Sequence, residues 1–320
     1  MKVFITGVAG YIGSVLAQML LAGGHEIIGI DKLIHGGGMS LLHLAPMDGF
    51  TFIKGDVYDV GEYEKYIDGD TYLVHLAAIV GEPASRKYPE ETRKTNLEAT
   101  RKIFDLALKK NVKKLIFVST CSNYGKVKEG EYATEDHPLN PLSLYAETKV
   151  EMERFLIEEV KDAINWTILR FATVYGLSPR MRFDLTVNHF TKDAFFHGYL
   201  DVFLPYSSRP YVHVRDAARA VILAMQKAES QNDVFNVGDT SENYRKIDIV
   251  EEVKKVVPSL KVEFVEKGSD PRDYRVSFEK IKRKLGYTIT RRVPDGVREV
   301  YSAVSQGWFK NPDDRFYRNI

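Results

Sequence analysis

Tyr145 and Lys149 stand four residues apart in Tyr145-Ala146-Glu147-Thr148-Lys149, a spacing that on a helix sets a phenol and an ammonium group on one face. An unperturbed phenol ionises near pH ~10, and a neighbouring cation favours its phenolate. The spacing therefore predicts a tyrosine able to take a proton at neutral pH, as a general base does. Upstream, an apolar run leads into Val118-Ser119-Thr120, where a hydroxyl at a strand's carboxyl end can hydrogen-bond a substrate alcohol. A tyrosine and a lysine at this spacing also occur on ordinary solvated helix faces, so their meaning depends on the elements around them.

Those elements begin at the N-terminus. Lys2-Val3-Phe4-Ile5-Thr6 suits a buried parallel strand, and from Ile12 the spacing of Ile12, Val15, Leu16, Met19 and Leu20 is helical. Between them lies Gly7-Val8-Ala9-Gly10-Tyr11-Ile12-Gly13. A tight strand-to-helix turn needs Gly7, a diphosphate can lie against the backbone only if Gly10 has no side chain, and Gly13 lets the helix pack closely on the strand. The unpaired N–H groups of the helix start, at Tyr11, Ile12 and Gly13, then face the phosphates. A second strand, Glu26-Ile27-Ile28-Gly29-Ile30, ends in Asp31. That carboxylate can accept from both hydroxyls of an adenosine ribose and would repel a 2′-phosphate, so the expected cofactor is NAD rather than NADP. The added positive charge of a bound nicotinamide ring would also favour the Tyr145 phenolate.

The bulk composition narrows the class. A chain of 320 residues, 44% hydrophobic, can bury a sizeable core. Lysine plus arginine (45) nearly balances aspartate plus glutamate (44), so the basic footprint of a nucleic-acid binder is missing and no nucleic-acid partner is expected. Cys121 has no second cysteine to pair with, which fits a reducing compartment. The first strand leaves no room for a signal peptide, and no apolar run reaches the ~18 residues of a membrane helix. The expectation is a cytoplasmic enzyme with no membrane association. The eight histidines lack ligand spacing, so no metal is expected.

Strand-like runs at 50–56, 72–78, 114–120 and 166–172 alternate with amphipathic helical stretches, chiefly 92–110 and 144–160. This alternation predicts an α/β fold, a Rossmann-type doubly wound parallel sheet covered by helices on both faces, with the ligand at the carboxyl ends of the strands. Residues 1–175 form the expected NAD-binding domain, to which the chain returns at about 211–240 through a helix at 216–227 and a strand at 234–238. Residues 176–320 form the expected smaller α+β substrate lobe, with a cleft between the two.

Taken together, Gly7 to Gly13, Asp31, Asp56-Val57, His75-Leu76-Ala77-Ala78, Asn96, Ser119 to Gly125, Tyr145, Lys149, Leu169-Arg170-Phe171, Arg209, Tyr211-Val212-His213-Val214 and Asn236-Val237-Gly238 resemble a family. It is that of the extended short-chain dehydrogenase/reductases acting on nucleotide sugars, the group of UDP-galactose 4-epimerase, the 4,6-dehydratases and related 4-dehydrogenases. The resemblance implies that Asp56 and Val57 hold the adenine, and that the backbone of Leu76, Ala77 and Ala78 lies along the diphosphate and nicotinamide riboside. Asn96 and Ser119 fall on the cofactor side as well. Tyr145 and Lys149 become the catalytic pair, with Lys149 also bonded to the nicotinamide ribose, and the catalytic hydroxyl falls on Thr120.

Two departures from the family pattern bear on the reaction. Where the dehydratases carry an Asp-Glu pair after that hydroxyl, this chain has Cys121 and Ser122, so 4,6-dehydration is not expected. Thr173 replaces an asparagine that many relatives place against the sugar diphosphate. Arginine suits a diphosphate because its planar fork binds two oxygens at once. Arg209 is the first candidate, then Arg272, with Arg180 and Arg182 for phosphate or sugar. The base would be met among Leu185, Val187, Asn188, Phe203 and Tyr206. The run Ser178-Pro179-Arg180-Met181-Arg182-Phe183-Asp184-Leu185 and Arg272-Asp273-Tyr274 also resemble a subgroup that includes GDP-heptose 4-dehydrogenases.

The expected activity is oxidation at the sugar C4 hydroxyl, as an epimerase of the UDP-glucose/galactose type acting on a nucleoside-diphosphate sugar. A 4-dehydrogenase that releases the ketone is the alternative, and a non-catalytic dinucleotide sensor or scaffold is a reading of another class. Relatives commonly form a homodimer through the helices at 92–110 and 144–160. Leu97, Ile103, Phe104, Leu106, Met152, Phe155, Leu156 and Val160 would face either that partner or the sheet.

Overall fold

Val3, Phe4 and Ile5 are wholly buried in β1 (Lys2–Thr6), because neighbouring strands flank it on both edges and helices cover both of its faces. In the computed structural model, which describes residues 1–268 and 272–319, the glycine turn leads into α1 (Gly13–Ala22), followed by β2 (Glu26–Asp31), β3 (Phe50–Lys54) and β4 (Thr71–His75). Three helical pieces, α2 (Glu82–Lys87), α3 (Pro89–Arg93) and α4 (Thr100–Lys110), precede β5 (Lys114–Thr120), α5 (Leu144–Arg154) and β6 (Trp166–Phe171). Residues 76–78, predicted as strand, leave the sheet as a loop, held by the Leu76 N–H on the Thr6 carbonyl at 3.2 Å.

The second half begins with β7 (Thr173–Tyr175), α6 (Thr186–His197), β8 (Tyr199–Phe203) and β9 (Ser208–His213). It continues through α7 (Val214–Gln226), β10 (Asp233–Val237), β11 (Asn243–Arg245), α8 (Lys246–Lys254), β12 (Lys261–Val265), α9 (Glu279–Leu285) and α10 (Val293–Ser305). The central sheet has seven strands in the order β10-β6-β5-β4-β1-β2-β3, every pairing parallel. The order reverses between β1 and β4, the place where such sheets bind ligands at their carboxyl ends. A β11-β9-β7 sheet and a β12-β8 pair make up the smaller lobe, around a core that includes Tyr175, Val187, Phe190, Tyr211 and Ile249.

The helical stretches at 89–110 and 144–160 each contain a π-helical turn, Lys94–Ala99 between α3 and α4 and Phe155–Val160 after α5; such turns recur at functional sites. The apolar residues weighed for a dimer are used within the chain: Ile103, Phe104, Leu106, Met152, Phe155, Leu156 and Val160 are buried in the core under these helices, with Leu97 at its edge. An amphipathic helix on a parallel sheet spends its apolar stripe on the sheet, the second of the two placements expected for them.

Candidate active site

Gly7 turns the chain at φ +73°, and a Cβ there would lie 2.9 Å from the Ala77 nitrogen. At Gly13 a Cβ would fall 2.2 Å from the Gly7 carbonyl oxygen, backbone against backbone. Gly13→Ala is expected to cost about 1–3 kcal/mol, the range for overpacking a closed site, and to empty the protein of NAD; calorimetry and the nucleotide content of the purified protein would check both. Asp31 aims at the same turn, with Oδ2 accepting from the Ala9 N–H at 3.0 Å and Oδ1 from the Leu33 N–H at 2.8 Å. Burial raises its carboxyl above the ordinary value and these two N–H groups oppose the rise. A side-chain-free turn, an uncapped helix start and an acid at the end of β2 form a cradle that fits a dinucleotide with a free 2′-hydroxyl.

Beyond the ribose position, Asp56 pairs with Lys32 at 2.8 Å and accepts from the Tyr58 N–H at 3.0 Å. Against the burial that would raise it, these contacts hold the carboxyl low. Val57 is buried, and its carbonyl accepts from the Tyr63 hydroxyl at 2.7 Å. The Leu76 and Ala77 N–H groups both donate to Thr6 Oγ1 at 3.2 Å, which fixes the backbone leading to Ala78. Asn96 and Ser119 are placed differently from the sequence reading. The Asn96 amide is taken up by both backbone groups of Ile79, at 2.9 and 3.0 Å, and by Thr148 at 3.3 Å, so it acts through the loop. The Ser119 hydroxyl donates to Glu153 and accepts from Asn123, inside the core beneath the site.

Thr120 ends β5, and Tyr145 sits in the first turn of α5, capped by Ser143 Oγ on the Ala146 N–H at 3.3 Å. Thr120 favours the Tyr145 phenolate, and its Oγ1 accepts from the Ser122 N–H at 3.1 Å. Lys149, one turn on, donates to the Val118 carbonyl at 2.8 Å and lies 4.7 Å above the Phe117 ring. Burial brings its ammonium down to about 7, partly offset by Glu153. Burial pushes the Tyr145 phenol up to about 12, and Arg182, Thr120 and Arg272 oppose that rise. The Lys149 ammonium is directed to a strand carbonyl, and the arginines that favour the Tyr145 phenolate come from the second lobe.

Arg182 is clamped by Asp184 through two bonds of 2.9 and 2.7 Å. Arg272 reaches Ser122 Oγ at 3.4 Å, and the Tyr274 hydroxyl meets the same oxygen at 3.2 Å. Tyr274 was not among the predicted site residues, although the triplet Arg272-Asp273-Tyr274 carried its signal. Arg209 stacks over the Tyr274 ring, 5.0 Å to its centre, and donates to the Ser208 and Arg272 carbonyls, so it lies at the back of this wall. Cys121 is fully buried, its thiol on the Arg170 carbonyl at 3.2 Å.

Other predicted substrate residues lie elsewhere. Asn188 is wholly buried, accepting from the Gly176 N–H at 2.9 Å and donating to Tyr11 Oη at 3.1 Å and the Arg182 carbonyl at 2.9 Å. It joins the lobes instead of facing the cleft. Tyr11 completes that joint by donating to the Gly176 carbonyl at 2.5 Å. Arg180 is buried with Asp31, Tyr11, Arg182 and Asp184 as its charged or ionisable surroundings, toward the dinucleotide end, and donates to the Arg318 carbonyl at 3.0 Å. Thr173 is half-buried at the start of β7, in register with Tyr211. Val187 belongs to the lobe's core. Tyr206, with Leu204, Pro205, Lys126, Arg272 and Asp273, lines a cleft of about 630 Å³ that continues from the Arg272 wall.

A doubly wound sheet carrying a glycine turn, an acid after β2 and a Thr-Tyr-Lys set defines the short-chain dehydrogenase/reductase class in its extended form. The chain belongs to the NAD dependent epimerase/dehydratase family, whose model matches residues 3–238, and it is an NAD-dependent enzyme of the kind that acts on nucleotide sugars. It is 30% identical over 311 residues to a UDP-glucose 4-epimerase of Lactobacillus helveticus, covering 90% of this chain and 92% of that one. Its fold is similar to that of a UDP-glucuronic acid 4-epimerase from Bacillus cereus solved with UDP-glucuronic acid and NAD, with a TM-score of 0.82, 27% identity and coverage of 96% and 99%. It is similar as well to a dTDP-glucose 4,6-dehydratase from Streptomyces venezuelae solved with NAD, with a TM-score of 0.84, 25% identity and coverage of 97% and 99%. Among the described residues no helix is long and apolar enough to cross a membrane.

Proposed function

We propose that this enzyme is a nucleoside-diphosphate-sugar 4-epimerase of the UDP-glucose/galactose type. The observation that carries this reading is the Thr120–Tyr145 hydroxyl pair with Cys121 and Ser122, and no carboxyl group, in the two positions that follow. Removal of water across C5 and C6 needs a general acid beside those atoms; a buried thiol and a hydroxyl engaged by Tyr274 and Arg272 do not supply one. Epimerisation needs no such acid: one group would take the 4-hydroxyl proton and return it, while bound NAD would accept the C4 hydride and give it back.

Tyr145 is that group. Thr120 holds the sugar hydroxyl in line with it, and Thr120, Arg182 and Arg272 favour the phenolate. Arg272, with Arg209 behind it, presents positive charge to the diphosphate, and Tyr206 offers an aromatic face to the base. Bound NAD supplies reversible hydride acceptance at the sugar C4, together with the positive charge of its ring. A 4-keto sugar that turns over in the cleft before reduction emerges with the opposite configuration.

Incubation of the purified protein with UDP-, GDP- and dTDP-sugars, following NADH absorbance beside product stereochemistry, tests this. Interconversion of C4 epimers without lasting NADH is the expected result. Lasting NADH with a released ketone would replace this reading with a 4-dehydrogenase, and no conversion of any of these sugars would point to a binding protein.

A further inference from the structure

His75 ends β4 with its ring wholly buried, at the point where the chain leaves the sheet for the 76–78 loop. Its two nitrogens meet two hydroxyls: Nδ1 lies 2.8 Å from Thr6 Oγ1, and Nε2 lies 2.9 Å from Thr100 Oγ1. Those hydroxyls fix which nitrogen is protonated. Thr6 Oγ1 already accepts from the Leu76 and Ala77 N–H groups at 3.2 Å each, which takes both of its lone pairs. Its own proton therefore goes to Nδ1, and the ring carries a proton only at Nε2, which it donates to Thr100. The Thr100 hydroxyl in turn donates to the Thr95 carbonyl at 3.4 Å. Burial, and after it the Lys149 ammonium, push the imidazole down to about 3, so the ring is neutral. That ammonium lies 4.7 Å over the Phe117 ring, which stacks on His75 with centres 6.1 Å apart.

This chain of bonds ends in the π-helical turn Lys94–Ala99. The same turn holds the far end of the loop, because Asn96 takes the N–H and the carbonyl of Ile79 at 2.9 and 3.0 Å. Residues 76–79 are thus gripped at both ends from one place in the helix. Their path is also tight: a Cβ on Gly7 would come within 2.9 Å of the Ala77 nitrogen, so the loop backbone lies directly against the dinucleotide turn. We infer that His75 is a positioning residue for the cofactor: held as one neutral tautomer, it carries the placement of the π-helical turn through Thr6 to the 76–79 backbone and so sets where that backbone meets the dinucleotide. This rests on the reading of residues 76–78 as the stretch that lies along the diphosphate and nicotinamide riboside.

Two substitutions in the full chain separate positioning from packing, with the NAD dissociation constant read by titration calorimetry. His75→Phe keeps a ring against Phe104 and Phe117 and removes both hydrogen bonds, whereas His75→Asn gives up the ring and keeps an acceptor where Nδ1 stood. The Phe variant is expected to weaken NAD about tenfold, the scale of one hydrogen bond, and to free the Ala77 amide for hydrogen exchange. The Asn variant is expected to stay within about threefold of wild type. A merely structural ring would give the opposite order, since Asn leaves the larger gap. Thr6→Val is expected to weaken NAD at least as much as His75→Phe, and adding His75→Phe to it to weaken NAD little further, because His75 acts through Thr6. In the wild-type protein, 15N spectra are expected to show a bare Nδ1 and a protonated Nε2 on His75 between about pH 8 and 5, the range in which an ordinary histidine gains its charge. A protonated Nδ1, an Ala77 amide that stays protected in His75→Phe, additive losses in the double variant, or the reverse order of NAD affinities overturns the inference. Free exchange at Ala77 with unmoved NAD affinity instead sinks the placement of 76–78 along the cofactor, and with it the role given to His75.

Discussion

Tyr145→Phe is expected to lower turnover about a thousandfold, within the range for loss of a positioned general base, while the protein still folds and still carries NAD. The phenol is buried, and Thr120, Arg182 and Arg272 all favour its phenolate. Removing it leaves the helix cap at Ser143 and the Lys149 bond to Val118 in place, so binding and folding have no reason to fail with it. The measurement is kcat with the sugar that the wild-type enzyme converts, beside NAD content and melting temperature. A phenylalanine variant that keeps a tenth or more of wild-type turnover would remove Tyr145 from the role of base.

Glu153→Ala is expected to destabilise the protein by about 3–5 kcal/mol, the scale for stranding one member of a buried ion pair. Glu153 and Arg170 are 1% and 4% exposed. Arg170 gives three bonds of 2.6 to 3.2 Å to that carboxylate, and its remaining nitrogen donates to Tyr124 Oη at 2.9 Å and the Glu135 carbonyl at 3.0 Å. The same carboxylate accepts from Ser119 and, at 2.8 Å, from Asn123. The network lies under the carboxyl end of β5, so its loss also loosens the turn that presents Thr120. Urea unfolding monitored by circular dichroism would measure the cost, and a change below about 1 kcal/mol would show that water or a rearranged side chain replaces the carboxylate.

Several features were legible because local sequence imposes them. The glycine turn, the acid after β2 and the Tyr-Lys spacing on α5 each follow from backbone geometry within a few residues, and strand β5 lies at the predicted 114–120. Arg170 illustrates the opposite case. Its neighbours in sequence say only that it ends an apolar strand; that its charge is met by Glu153 from a helix packed on that strand is a fact of packing. Asn188 and Arg180 went astray for a related reason. Residue type marked them for phosphate and base, but the direction of each side chain was set by partners distant in sequence, Tyr11 and Gly176 for one and Arg318 for the other.

Fold class, dinucleotide cradle and the proposed proton acceptor could all be read from the chain, because strand, turn and helix signals act over short range and the chemistry follows from residue type. That arginines of the second lobe bear on the Tyr145 phenol follows from packing between elements far apart in sequence. Lys149, nearest in sequence, is drawn to the Val118 carbonyl in a buried helix-sheet contact, while Arg182 and Arg272 come from the second lobe. An ammonium in a low-dielectric interior goes to the acceptor that best satisfies it, and where that acceptor lies is settled by packing between elements far apart along the chain.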